Sequence, residues 1–246
     1  MADGARRVSD AEWALRRKLA VMCRMLGIQG SIGLFGHVSI RVPDTDIVLM
    51  TPGAGSRKTR VRTDQIFAFE LGGRIVHHPG GDRPMQIPIE WRIHTQIHKD
   101  RPEILCVAHL HARASTLMGI AGREIHPVFA QGFVTHGGVP VWDDPRLVLD
   151  DAAASGLSKT LGQGVACQMR GHGSVVVGET PELCLQACTF IEENAQYQID
   201  AEALGGAKPF PNAIWESLLA QRRISGGTQL LWNYWEQIVE EQGLPL

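Results

Sequence analysis

Residues 103–112 read EILCVAHLHA, a short apolar run entered from an Arg-Pro-Glu turn and ending in two histidines. A run of this length and composition is a strand buried on both faces, and a strand covered on both sides needs a sheet with helices packed against it. Side chains alternate along a strand, so His109 and His111 point the same way while Leu110 points into the opposite layer.

The rest of the chain supplies a sheet for that strand. HVSIRV (37–42) and DIVLMT (46–51) read as paired strands joined through Pro43-Asp44, and QIFAFE and GRIVHH as a second hairpin around Gly72-Gly73. VACQM (165–169) and SVVVG (174–178) are two more strands. Ser9-Asp10-Ala11-Glu12 has the capping-box pattern, followed by Trp13, Leu15, Leu19, Met22, Cys23 and Leu26 at helical spacing. Further helices are expected over 89–99 behind Pro88, over 147–161, and over 181–204 behind Thr180. Strands and helices alternate without a regular strand–helix–strand rhythm, so the expectation is one α/β domain over 1–246, a mixed sheet flanked by helices.

Residues 206–246 form a tail with two helical pieces, AIWESLLAQRR and TQLLWNYWEQIVEE. Trp215, Leu218, Leu219, Leu230, Leu231, Trp232, Tyr234 and Trp235 make it unusually aromatic. Such a tail either packs on its own core or lies at a subunit interface, where aromatic residues are enriched.

Bulk properties exclude several classes. Of 246 residues, 44% are hydrophobic and 20% charged, ordinary for a fold with a real core. The formal net charge of -2 favours neither nucleic acid nor an anionic membrane as a partner. The opening MADGARRVSD has no apolar signal core and no run approaches the roughly 20 apolar residues of a spanning helix, so a cytoplasmic location is expected. The five cysteines form no CxxC pair and lie in apolar stretches, as buried free thiols would. There is no GxxxxGK[ST], no GxGxxG after a strand and no GxSxG elbow.

Four stretches could carry chemistry. Two imidazoles side by side at 109 and 111 are hard to satisfy in a core and suit a divalent cation. Arg170-Gly171-His172-Gly173 puts a third histidine where the backbone can bend and approach another element closely. With the first two it would make a three-histidine site with open positions, the pattern of a catalytic metal. Glu90, His94 and His98 stand at i, i+4 and i+8, which permits either a rival metal site or a solvated polar helix face. Residues 51–64, TPGAGSRKTRVRTD, mix glycines with Arg57, Lys58, Arg60 and Arg62 and form either an anion-binding loop or a surface loop.

In chain order these pieces resemble the class II aldolase/adducin superfamily: the helix into GHVSIR, then MTPGAG, the Glu90 helix, VAHLHA after its RPE turn, and RGHGSVVVG, over roughly residues 10–205. The resemblance implies a single-domain three-layer α/β/α sandwich with a mixed, mainly antiparallel sheet, assembled as a homotetramer with sites at subunit interfaces. It implies that His109, His111 and His172 hold one divalent metal per subunit (Zn, Mn, Co or Fe) and that Glu90 is the acid/base or a further ligand. His94 then stands behind the ligands and His98 lies at the surface.

Sugar-phosphate members of that superfamily carry an asparagine where this chain has His37, and a serine pair where it has Pro88 and Ile89. Thr51 and Gly53 are kept, but a phosphate without those donors would cost about 1–3 kcal/mol per unmet group. The chain is closer in pattern to members that decarboxylate hydroxylated aromatic and pyridine carboxylates. The expected activity is therefore a lyase of aromatic catabolism, decarboxylating a hydroxylated aromatic or heteroaromatic (di)carboxylate through a metal-stabilised enolate or phenolate. His37, Thr51, Gly53, Arg57 and Lys58 are the expected substrate contacts. Alternatives are an aldolase on an unphosphorylated hydroxy acid or sugar acid, a non-haem iron oxygenase on the same histidines, and a non-enzymatic adducin-like interaction domain.

Overall fold

The computed structural model describes residues 8–79, 85–211, 213–215, 217–218 and 226–246. Helix α1 (Asp10–Ile28) starts where its capping residue predicts, with the Ser9 hydroxyl accepting the Glu12 N–H at 3.2 Å. Two arginines inside α1 are fully buried and hold loop carbonyls: Arg16 reaches Ile66 and pairs with Glu12, while Arg24 donates to Val61 and to the chain end at Leu244.

The strands are β1 (His37–Arg41), β2 (Ile47–Met50), β3 (Phe67–Glu70), β4 (Ile75–His77), β5 (Cys106–Leu110), β6 (Val141–Trp142), β7 (Ala166–Met169) and β8 (Gly173–Gly178). They form one sheet in the order β4-β3-β2-β1-β5-β8-β7-β6. Every pairing is antiparallel except β6 with β7. The mixed, mainly antiparallel sheet of the expectation is therefore present, with the 103–112 strand at its centre.

Alternation along β5 divides the molecule into three layers. Cys106, Ala108 and Leu110 join α1 and the long helix α5 (Pro181–Ala203) in one apolar cluster. Val107 faces the other way, with Val175 and Val177 of β8, against Ile93 and Ile97 of α2 (Trp91–Asp100) and Leu157 and Leu161 of α4 (Asp151–Leu161). His109 shares the α2/α4 face with Val107, because it is two residues further along.

Some elements differ from the sequence expectation. The helix expected from 147 starts at Asp151, where Asp150 caps it by accepting the Ala153 N–H at 2.8 Å. Residues 143–150 instead form neither helix nor strand, and Pro145 and Leu147 among them line a cavity. Helix α3 (Arg113–Ile120) was not anticipated; Glu192 of α5 holds its first turn by accepting the Ala114 and Ser115 N–H groups at 2.6 and 2.9 Å. His98, expected at the surface, is fully buried between α2 and the sheet.

All five cysteines are buried and unpaired. No described helix is long and apolar enough to cross a membrane. In the tail, α6 (Gly227–Glu241) buries Trp232 and Val239 in the α1/α5 core cluster and leaves Leu230 and Tyr234 exposed. Residues 213–215 are helical, and 219–223 of the first tail segment lie outside the described residues.

One glycine is forced by close packing at the site. A Cβ on Gly173 would lie 2.1 Å from the Leu110 carbonyl oxygen, so only glycine lets β8 lie against β5 here. Gly173→Ala is expected to destabilise the fold by about 1–3 kcal/mol, as overpacking does, with the midpoint of urea unfolding as the measurement.

Candidate active site

Three histidines converge at one end of β5. His109 is the second-last residue of the strand, His111 follows it directly, and His172 sits in the turn between β7 and β8. Gly171, at φ 69°, takes the left-handed conformation that this tight turn requires. The ring centroids are 4.7 Å apart for His109–His111, 5.0 Å for His109–His172 and 5.2 Å for His111–His172. One ring nitrogen of each lies within 4.8 Å of the others, close enough to share one ion.

Hydrogen bonding fixes which nitrogen of His109 is available. Its Nδ1 lies 3.2 Å from the Ser174 carbonyl oxygen, which can only accept, so Nδ1 carries the proton and Nε2 the lone pair. That Nε2 is buried and has no hydrogen-bond partner among the described residues, and neither has Nδ1 of His172. A buried nitrogen without a partner is costly in an apo core and is what a metal ligand looks like before its ion binds.

Glu90 sits just ahead of α2, and its carboxylate is turned into the cluster. One oxygen accepts the Val148 N–H at 2.9 Å; the other lies 3.4 Å from His172 Nε2 and 3.7 Å from His109 Nε2. Burial alone would raise its pKa, but the His172 hydrogen bond, the neighbouring His109 and the Val148 amide outweigh it and hold the group at about 2. Burial pushes His109 down to about 3, with the adjacent imidazoles adding to the effect, and lowers His111 as well. At neutral pH the cluster is thus a buried carboxylate whose only ion-pair partners among the described residues are imidazoles. Its surplus negative charge and its bare nitrogens both fit a divalent cation held by His109, His111 and His172.

Glu90, His111 and His172 form the floor of a cavity of about 460 Å³, a size typical of small-molecule sites, with His109 buried beneath them. Phe35, Ala54, Ile87, Pro88, Ile89, Pro145 and Leu147 make its walls, and His37 flanks the histidines, 5.0 Å from the His109 ring. Phe35, Ile89 and Leu147 are all substantially exposed, an apolar rim that a surface without a ligand would not need. No Ser, Thr, Lys or Arg is among the described residues lining the cavity.

The structure brings Glu90, His37 and the three histidines together, and it uses the other expected contacts differently. Thr51 is buried and pairs with Val38 through both its hydroxyl and its backbone. Gly53 backs the wall; its N–H donates to the Gln86 carbonyl, and a Cβ there would lie 3.0 Å from that oxygen. Lys58, expected to receive a substrate carboxylate, is buried with its ammonium on the Pro52 and Gly53 carbonyls, so its charge holds the loop. Arg57 lines a separate cavity with Arg60 and Arg62, adjoining the first at Ala54 and Gln86. His94, expected behind the three histidines, lies behind His37, with its Nε2 2.7 Å from His37 Nδ1. Sequence reasoning missed Phe35, Pro145 and Leu147; Phe35 hides in the glycine-rich 27–36 segment, and Leu147 was assigned to a helix.

This fold and donor set define the class of protein. The sequence pattern of the class II aldolase and adducin N-terminal domain matches residues 17–199, and the chain belongs to that family. A 3,4-dihydroxyphthalate decarboxylase of Terrabacter sp. is 26% identical over 201 residues, covering 79% of this chain and 84% of the relative. A 4-hydroxy-3-prenylphenylpyruvate oxygenase/4-hydroxy-3-prenylbenzoate synthase of Streptomyces roseochromogenus is 28% identical over 221 residues, covering 85% and 73%. In fold, an aldolase II superfamily protein from Pseudomonas syringae superposes with a TM-score of 0.83 at 24% identity, covering 96% of each chain.

Metal addition gives a direct test of the donor set. Zinc at 100 times its Kd should stabilise the metal-stripped protein by about 2.7 kcal/mol, read as a rise in Tm. His111→Ala should abolish that rise, and an equal rise in the variant would exclude the three-histidine site.

Proposed function

We propose that this chain is a divalent-metal lyase that decarboxylates a hydroxylated aromatic or heteroaromatic (di)carboxylate. The observation that carries this reading is the cavity wall: beside Glu90, His111 and His172 its described lining is apolar apart from His37 and Gln86, and among the described residues lining it there is neither a hydroxyl nor a cation for a phosphate. Pro88 and Ile89 stand where a phosphosugar site would need donors. Phe35, Ile89 and Leu147 would offer apolar contacts to a ring, and relatives named as dihydroxyphthalate decarboxylases support the same substrate class.

A cation on His109, His111 and His172 would supply a Lewis acid, stabilising negative charge that develops on a substrate oxygen. Because imidazole ligands are neutral, they leave most of the ion's charge available for that purpose. Glu90 is held by Val148 on one oxygen and keeps the other for a proton or a water molecule. As a carboxylate it would take up the proton that one substrate hydroxyl loses on binding and return it to the ring carbon, directly or through that water, as carbon dioxide leaves. Phe35, Pro88, Ile89 and Leu147 exclude bulk water from the carbon that is being protonated. The family resemblance supports a homotetramer with one metal per subunit, and a cytoplasmic location is proposed with it.

A second reading has its own support. The 28% identical relative is named as an oxygenase, so the same three histidines are also proposed as an iron site for oxygen chemistry. Oxygen consumption with the iron-loaded protein distinguishes the two. The joint presence of Glu90 and all three histidines speaks against a purely adducin-like interaction domain.

Carbon dioxide release from dihydroxylated aromatic dicarboxylates, run beside aldol cleavage of sugar phosphates and of unphosphorylated sugar acids, decides among the lyase readings. Release from the aromatic acids is expected, and cleavage of phosphosugars alone would overturn the proposal. Glu90→Gln should retain its metal and lose turnover by about 10²–10⁴-fold, the range for a general acid–base residue. Full turnover in that variant would remove Glu90 from the mechanism.

A further inference from the structure

Behind the cavity, four polar side chains form a continuous hydrogen-bonded line buried between β1 and α2. His37 Nδ1 lies 2.7 Å from His94 Nε2. His94 Nδ1 lies 2.7 Å from the Ser39 hydroxyl, which is 3.1 Å from His98 Nε2. His98 Nδ1 ends the line, 3.0 Å from the Ile104 carbonyl oxygen. His94, His98 and Ser39 are fully buried, and His37 alone reaches the cavity.

The direction of every bond follows from the last one. A carbonyl oxygen cannot donate, so His98 Nδ1 must carry a proton toward Ile104. A neutral His98 then has a bare Nε2, and the Ser39 hydroxyl must donate to it. Ser39 has only one proton, so toward His94 it accepts, and His94 Nδ1 is protonated. His94 Nε2 is then bare and accepts from His37 Nδ1. Burial, the first cause in each case, lowers the pKa of His94 and of His98, the latter to about 4, so both are neutral at physiological pH and the bond directions hold. His37 Nε2, which has no hydrogen-bond partner among the described residues, is left with its lone pair.

We propose that Ser39, His94 and His98 are positioning residues that hold His37 with Nε2 as a fixed hydrogen-bond acceptor facing the cavity, so that this subsite selects a ligand hydroxyl that still carries its proton. The choice of a hydroxyl-bearing substrate rests on the function proposed above; the direction of the line does not. A phosphate or carboxylate would meet Nε2 lone pair to lone pair, which is repulsive, whereas a ring hydroxyl donates to it. Because the line ends at a carbonyl, it has no acceptor through which a proton could leave. It sets orientation, and it is not a proton path to solvent.

Neutron diffraction from the deuterated, metal-loaded protein reads the line directly. Deuterium is expected on Nδ1 of His37, His94 and His98 and absent from Nε2 of His37. Deuterium on His37 Nε2 would overturn the proposal, as would loss of the bound metal in His37→Gln, which would make His37 a ligand. Ser39→Ala breaks the line at its middle. Calorimetry with 3,4-dihydroxybenzoate and its dimethyl ether should show the preference for the hydroxylated ligand falling about 2- to 10-fold in that variant, the worth of one neutral hydrogen bond. Ser39→Thr, which keeps the hydroxyl, should restore it. An unchanged preference in Ser39→Ala refutes the positioning role. If neither ligand binds and no carbon dioxide is released while the deuterium pattern is as stated, the substrate reading fails and the fixed acceptor stands.

Discussion

The site depends on the register of β5 between its two antiparallel neighbours. His37 of β1 pairs with His109, and Val175 of β8 lies opposite His109 on the other side. A slip of one residue would turn His109 into the α1/α5 core and bring Leu110 to the cavity floor. That slip is opposed on both faces at once, because Val107 and Ala108 belong to different apolar clusters. Hydrophobic burial over the whole strand therefore determines where a metal ligand points.

Burial has a second consequence at this strand end. Glu90 and His109 are buried, and His111 and His172 half-buried, without a cationic side chain beside them among the described residues, an arrangement that is expensive unless an ion completes it. The fold accepts the cost by tying one oxygen of Glu90 to Val148 and Nδ1 of His109 to Ser174. These bonds leave the remaining donor atoms few choices of direction. The same logic continues outward through Ser39, His94 and His98, where each hydrogen bond is constrained by the next.

The histidines were legible in the sequence as local patterns, while their grouping as metal donors came from the family resemblance. HLH at a strand end and GHG in a turn specify side-chain direction through period-two alternation and glycine conformation, and neither needs the rest of the fold to be read. The loop contacts were less legible. Lys58 and Arg57 are neighbours of the same charge, yet one is buried on backbone carbonyls and the other lines a separate surface cavity. Only the path of the 51–64 loop separates them. Likewise Leu147 looked helical because its neighbours are good helix formers, while Pro145 and the Asp150 cap delay the helix to Asp151.

Sequence alone determined the strand that carries the site, a matter of residue type and short-range period, and the family resemblance grouped the three histidines with the carboxylate and marked the replaced donors at 88 and 89. Tertiary structure decided what surrounds them. Glu90, His94 and His98 share a helical face that spacing could assign to a metal, to solvent or to the core. The packing of α2 on the sheet sends Glu90 into the metal cluster and buries the two histidines behind His37. Contacts across 50 or more residues of chain cannot be read from local pattern, because which elements meet is set by the burial of whole faces.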